Sequence, residues 1–170
     1  MTAEITVSRW RDQALAPLLL AYHLRTEAEK GVAVSAVGEL PPRYRAEVLD
    51  PRTAFAADTV WVAETGGNPV GCVVGSASAD ASLEVKRLWV DPACRGRGAA
   101  KALVAAVLEH AADTGAVAVR LSVWHWRRDA IGLYERLGFT LADSWDDRPG
   151  LVCMRRAVVD TDWSNKTGRR

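Results

Sequence analysis

The clearest hydrophobic rhythm runs from Ala100 to Ala111, where Ala100, Leu103, Val104, Val107, Leu108 and Ala111 recur at the three- and four-residue spacing of one helix face. Gly115 closes that helix. The same period returns over Arg128 to Leu137 through Ala130, Leu133, Tyr134 and Leu137, and Gly138 stops it just before the strand-like Phe139-Thr140-Leu141. Elsewhere β-rich runs dominate. Thr59 to Glu64, the turn Thr65-Gly66-Gly67-Asn68-Pro69 and Val70 to Ala77 spell a hairpin; Ser82 to Val90, Val117 to Val123 and Leu151 to Arg155 add strands, and Glu4 to Ser8 is a short one at the start.

Leu15, Leu18, Leu19 and Tyr22 predict a first helix running from an Asp12 cap toward Lys30, disturbed early by Pro17 and ended by Gly31. Pro41-Pro42 and Asp50-Pro51 bracket a short helical insert, Arg43 to Leu49. A hairpin meander followed by strand, helix, strand, helix, strand implies an α/β (α+β) fold: a mixed, mostly antiparallel central sheet of six or seven strands with about four helices packed on it. One domain over residues 1–159 is expected, with a flexible polar tail over 160–170.

Composition narrows the function classes. Of 170 residues, 49% are apolar and 25% charged, which suits a globular domain, and 22 Lys plus Arg against 21 Asp plus Glu leave no net field to draw nucleic acid or an anionic membrane. Any anion must therefore be held by a local site. Cys72, Cys94 and Cys153 are odd in number and lack CxxC spacing, which argues against a disulfide framework and a structural zinc. His23 and His110 have no partner at metal spacing, so no metal is expected. The first residues carry no basic-then-apolar leader, and Leu15 to Tyr22 is too short to span a bilayer, so a cytoplasmic protein is expected.

The strand-to-helix junction Arg95-Gly96-Arg97-Gly98-Ala99-Ala100 has the makings of an anion site. A helix start leaves backbone N–H groups unpartnered at the positive end of its dipole, small residues let phosphate oxygens approach them, and two arginines add charge. A solvated glycine turn is the simpler alternative. The nucleoside-triphosphate loop pattern is absent, and the dinucleotide fingerprint fails because Ala100-Lys101 follows where its last glycine belongs.

Val90-Asp91-Pro92 leading into Arg95-x-x-Gly98-x-Ala100 resembles the Arg/Gln-x-x-Gly-x-Gly/Ala signature of the GNAT superfamily of N-acetyltransferases. Ala130-Ile131-x-Leu133-Tyr134-Glu135-Arg136-Leu137-Gly138-Phe139 is similar to its next block, and Val152-Cys153-Met154-Arg155-Arg156 to its closing strand. The resemblance spans Val60 to Arg156. It implies an N-acetyltransferase that moves an acetyl or other acyl group from acyl-CoA to an amine by direct attack in a ternary complex. The loop amides of Arg95, Gly96, Arg97, Gly98, Ala99 and Ala100 would hold the pyrophosphate of acetyl-CoA, and the backbone of Leu88, Trp89 and Val90 would line the pantetheine arm and polarise the thioester carbonyl.

By the same resemblance, Tyr134 stands where the family places a general acid near the CoA sulfur, although its place on an apolar helix face also suits a core aromatic. Glu84 stands where several members keep a carboxylate base, and a solvated strand carboxylate is the plain alternative. Where the family usually has asparagine, this chain has Arg127, which would reach the cofactor phosphates instead. His125 is a rival base. Cys94, flanked by arginines, raises an acyl-enzyme route, but no base adjoins it. Trp124 or Trp126 would wall an acceptor pocket if not simply packed, and Asp143, Asp146 and Asp147 would attract a cationic amine if not simply solvated.

The expected acceptor is an amine, on a small molecule rather than a protein. An acyl carrier protein is kept as an alternative donor, a non-catalytic acyl-CoA-binding module as an alternative function, and a homodimer as the assembly common in the family.

Overall fold

Two consecutive glycines, Gly66 and Gly67, take φ of 57° and 79° and fold β2 (Thr59–Thr65) back onto β3 (Asn68–Ala77). A two-residue loop with both φ positive matches the twist of a hairpin, and glycine adopts it without a Cβ clash. The hairpin is thus tighter than the five-residue turn expected from sequence, and Pro69 lies inside β3. It faces Glu64 where the ladder skips Val70, a bulge that suits a residue with no N–H to give.

The computed structural model describes residues 3–158; the expected tail at 160–170 lies outside them. Along the sheet the strand order is β1-β2-β3-β4-β5-β7-β6, with β1 (Ile5–Arg9), β4 (Ser82–Val90), β5 (Ala118–Trp124), β6 (Thr140–Leu141) and β7 (Leu151–Ala157). Hairpin-type neighbours pair antiparallel. Helix α4 (Ala99–Asp113) carries the chain from β4 to its neighbour β5, a helical crossover of the kind that joins parallel strands, so the sheet is mixed.

The chain divides into two compact units. Among the described residues, one comprises 3–76 and 85–106, the other 77–84 and 107–158. In the first, β2 is buried without alternation from Val60 to Ala63, as a strand covered on both faces must be. One covering is α1 (Ala16–Glu29), whose Leu18 and Leu19 join Leu15, Leu40, Val62, Val74 and Trp89 in one core. The start of α4 approaches through Gly71, where a Cβ would sit 2.8 Å from the Trp89 carbonyl and 3.2 Å from Leu103.

Pro17 does not disturb α1: it occupies the first turn, where a missing N–H costs nothing, and the helix starts from Leu15 with no Asp12 cap. The insert is richer than expected, with α2 (Pro42–Leu49) and a single-turn α3 (Pro51–Ala54) whose Thr53 N–H is taken by the Asp50 carboxylate. In the second unit β7 pairs with β5 along its whole length and with β6 on its other edge, while α5 (Arg128–Arg136) ends at Gly138, φ 89°. Val107, Ala111, Leu121, Val123, Tyr134, Phe139 and Met154 are buried there.

Candidate active site

In the first unit the chain leaves β4 through Asp91, whose N–H donates to the Val70 carbonyl at 2.7 Å and whose carboxylate accepts from the Ala93 N–H at 2.9 Å. That pins the turn. Gly96 and Gly98 then take φ of 77° and 86°, conformations that would strain any residue with a Cβ, and no atom beyond the adjoining residues lies within 4 Å of where either Cβ would sit. Helix α4 opens at Ala99, and the Gly98 carbonyl takes the first intrahelical bond from Ala102. The N–H groups of Ala99, Ala100 and Lys101 precede any helical acceptor, so the turn presents amide donors beside open space at the positive end of a fifteen-residue helix.

The two loop arginines are held differently. Arg95 Nε donates to the Val90 carbonyl at 3.1 Å, with its guanidinium 5.0 Å from the Trp89 ring centroid. Arg97 Nη2 donates to the Ala3 carbonyl at 2.6 Å and to Thr65 Oγ1 at 3.3 Å. Both stiffen the loop and leave charge beside it. Trp89 and Val90 are buried and Leu88 is half-buried. Against the end of this strand, Trp89, Asp91 and Pro92 face Pro17, Leu18 and Ala21 of α1 across a cleft of about 380 Å³. Cys94 is half-buried on the turn before the loop.

The second unit holds Glu84, Arg127 and Tyr134. Tyr134 is buried on α5 with its ring edge-on to Phe139 at 5.6 Å, so it packs in the core of this unit. Glu84 Oε2 lies 3.7 Å from Arg120 Nη2, and Asp80 lies 3.5 Å from the same guanidinium. Arg127 is the residue from which α5 starts; its N–H donates to the Trp124 carbonyl at 3.0 Å. Next to it Trp124 and Trp126 stack at 4.8 Å, and the His125 ring stands edge-on to Trp126. Asp146 is engaged by Arg148 at 2.8 Å, whose hydrogen bond holds its carboxyl at about 2, so part of the acidic loop's charge is already matched.

One charged cluster is assembled from residues that no sequence motif links. In the first unit His23, on α1, is 1% exposed and its Nε2 lies 2.7 Å from Glu47 Oε2, on α2. Arg87 of β4 donates to the same carboxylate twice, Nε to Oε2 at 2.8 Å and Nη2 to Oε1 at 2.7 Å. Burial opposes ionisation of Glu47, but the hydrogen bonds from Arg87 and His23 outweigh it and hold the carboxyl at about 2. Burial lowers the His23 pKa despite the bond to Glu47, so the imidazole is neutral and donates through Nε2. The separation of 24 and 40 residues hid the cluster; the signal present was a Lys86-Arg87 pair interrupting an apolar strand.

Comparison with known proteins covers most of this framework. The model of the acetyltransferase (GNAT) family matches residues 21–139. N-acetyltransferase family 8 member 2 of Rattus norvegicus is 40% identical over 89 residues, 49% of this chain and 39% of that protein. The chain thus spans about two fifths of the length of that curated relative. Among solved structures, an acetyltransferase of the GNAT family from Staphylococcus aureus superposes with a TM-score of 0.71 at 14% identity, covering 91% of this chain and 99% of that one. The PaiA N-acetyltransferase of Thermoplasma acidophilum, solved in complex with coenzyme A, gives 0.71 at 16%, covering 91% and 99%. At such identities these two likenesses are of fold.

Proposed function

Since the chain belongs to the acetyltransferase (GNAT) family, we propose that it transfers an acetyl or related acyl group from acyl-CoA to an amine, with both substrates bound at once. The observation that carries this is the turn at Gly96 and Gly98: left-handed glycines, open space and unpartnered N–H groups at the start of α4 suit a pyrophosphate. Arg95, Arg97 and the amides through Ala100 would hold it. Leu88 to Val90 would line the pantetheine arm and offer a backbone N–H to the thioester carbonyl.

In this reading the neutral amine bonds to the thioester carbon, the C–S bond breaks, the amine gives up a proton and the departing sulfur takes one. Tyr134 supplies the sulfur's proton. Glu84 takes the amine's, with Arg120 beside it to balance the carboxylate, and His125 is the rival for that task. Arg127 would meet the cofactor where the family uses asparagine. The acceptor is a small-molecule amine, with the Trp124–Trp126 stack as a wall.

The test is release of free thiol from acetyl-CoA across a panel of amines, with an acyl carrier protein as the comparison donor. Tyr134→Phe should lower kcat by roughly a hundredfold and change acetyl-CoA affinity less than about twofold. Unchanged turnover would remove Tyr134 from the reaction, and tight acetyl-CoA binding without thiol release would identify a binding module. Replacing Glu84 with Gln and His125 with Asn in turn distinguishes the two bases.

A further inference from the structure

Arg87 lies inside β4 with φ of 56°, in the left-handed region that a residue with a long side chain rarely holds unless its surroundings hold it. The usual alternation of the strand fails there: Leu83 and Val85 are buried, Lys86, Arg87 and Leu88 are half-buried, and Trp89 and Val90 are buried in succession. A left-handed residue in a strand resets which way the following N–H groups point. The residues that follow are Leu88, Trp89 and Val90.

The surroundings explain how this conformation is held. The Arg87 guanidinium is gripped by both oxygens of Glu47 and lies 5.7 Å and 5.4 Å from the ring centroids of Tyr22 and Tyr44. Glu47 is fixed in turn by His23, whose ring stacks on Tyr44 at 4.5 Å. On the backbone side the Arg87 carbonyl accepts the Cys72 thiol at 3.5 Å. Contacts from α1, α2 and β3 thus converge on one kinked residue. A carboxylate paired with a guanidinium and braced by a neutral imidazole adds no net charge, so the cluster holds the strand without attracting an anion to itself.

We propose that Glu47, acting through Arg87, is a positioning residue for acyl transfer: the clamp fixes the kink in β4 and so aims the N–H groups of Leu88 to Val90 at the thioester carbonyl. The proposal rests on the reading of Leu88 to Val90 as the donor strand. It differs from a purely structural ion pair in what it predicts. A structural pair would change stability alone, whereas a positioning pair changes how the protein treats the acetyl group.

The test compares binding of acetyl-CoA with binding of CoA, which lacks the acetyl carbonyl, in the wild type, in Glu47→Gln and in Arg87→Gly. Glutamine keeps the shape of Glu47 and gives up its charge; glycine tolerates the left-handed φ but has no side chain to be clamped. In both variants the ratio of the CoA Kd to the acetyl-CoA Kd should fall by about three- to tenfold, the worth of one hydrogen bond. The infrared carbonyl band of bound ¹³C-acetyl-CoA should move back toward its position in water. A cooperative melt confirms that each variant is folded. If either folded variant keeps the wild-type ratio and band position, the clamp has no positioning role. If the wild type binds neither CoA nor acetyl-CoA, the donor-strand reading itself fails and the proposal falls with it.

Discussion

Glu47 shows how much one side chain can organise: it is 6% exposed, ionised, and accepts three hydrogen bonds from two residues distant in sequence. Glu47→Ala would leave the Arg87 guanidinium buried without its counter-ion, and should destabilise the fold by roughly 3–5 kcal/mol in urea unfolding. The same contacts set an acid limit. The Glu47 carboxyl titrates at 4.5 in an ordinary setting and at about 2 in the fold, so its stabilisation is complete above pH 4.5 and is lost as pH falls toward 2. A shift of that size is worth roughly 3 kcal/mol. His23, also lowered from 6.5, adds a loss that begins as pH drops below 6.5. Urea midpoints measured from pH 8 to pH 3 should therefore begin to fall below pH 6.5 and fall further below 4.5, and Glu47→Gln should remove the part below 4.5; a drop there that persists in that variant would assign it to other carboxylates.

At the scale of elements, α4 and α5 are plain in the sequence because a three- and four-residue apolar spacing sustained over two turns or more reads as a helix face. The start of α1 is ambiguous in the sequence because Pro17 looks the same there whether it breaks a helix or opens one. The Glu47 cluster is invisible in the sequence because its partners lie on α1 and β4, and an isolated Glu in a short helix reads as surface. The glycine turn proposed to hold the donor is legible as a motif for the opposite reason: all its parts are contiguous, from Asp91 to Ala100. Gly98→Ala tests that contiguity. With φ at 86° the added methyl should cost about 1–2 kcal/mol of stability and weaken acetyl-CoA binding by at least about tenfold in calorimetry, as expected for the loss of charge-assisted amide hydrogen bonds. An unaltered Kd would move the pyrophosphate elsewhere.

For the whole molecule, the family match at residues 21–139 and the seven-stranded order agree with the layout that the element sequence implies, while acceptor identity depends on side chains whose roles no pattern encodes. If acyl-CoA binds the folded chain alone, acetyl-CoA at a hundred times its Kd adds about 2.7 kcal/mol, which should raise the Tm by roughly 5–10 °C; an unmoved Tm at that excess would contradict selective binding to the fold. The distribution of the three cysteines gives the molecule a practical property. Cys72 and Cys153 are buried, and burial pushes the Cys72 thiol up to about 12, whereas Cys94 is partly open on the turn into the Gly96–Gly98 loop. Folded protein should consequently consume one equivalent of a thiol reagent quickly and three only after unfolding. A fluorophore introduced that way lands at a single address, four residues from Gly98, giving the chain a built-in labelling position from which the proposed binding of acyl-CoA can be followed without any engineered cysteine.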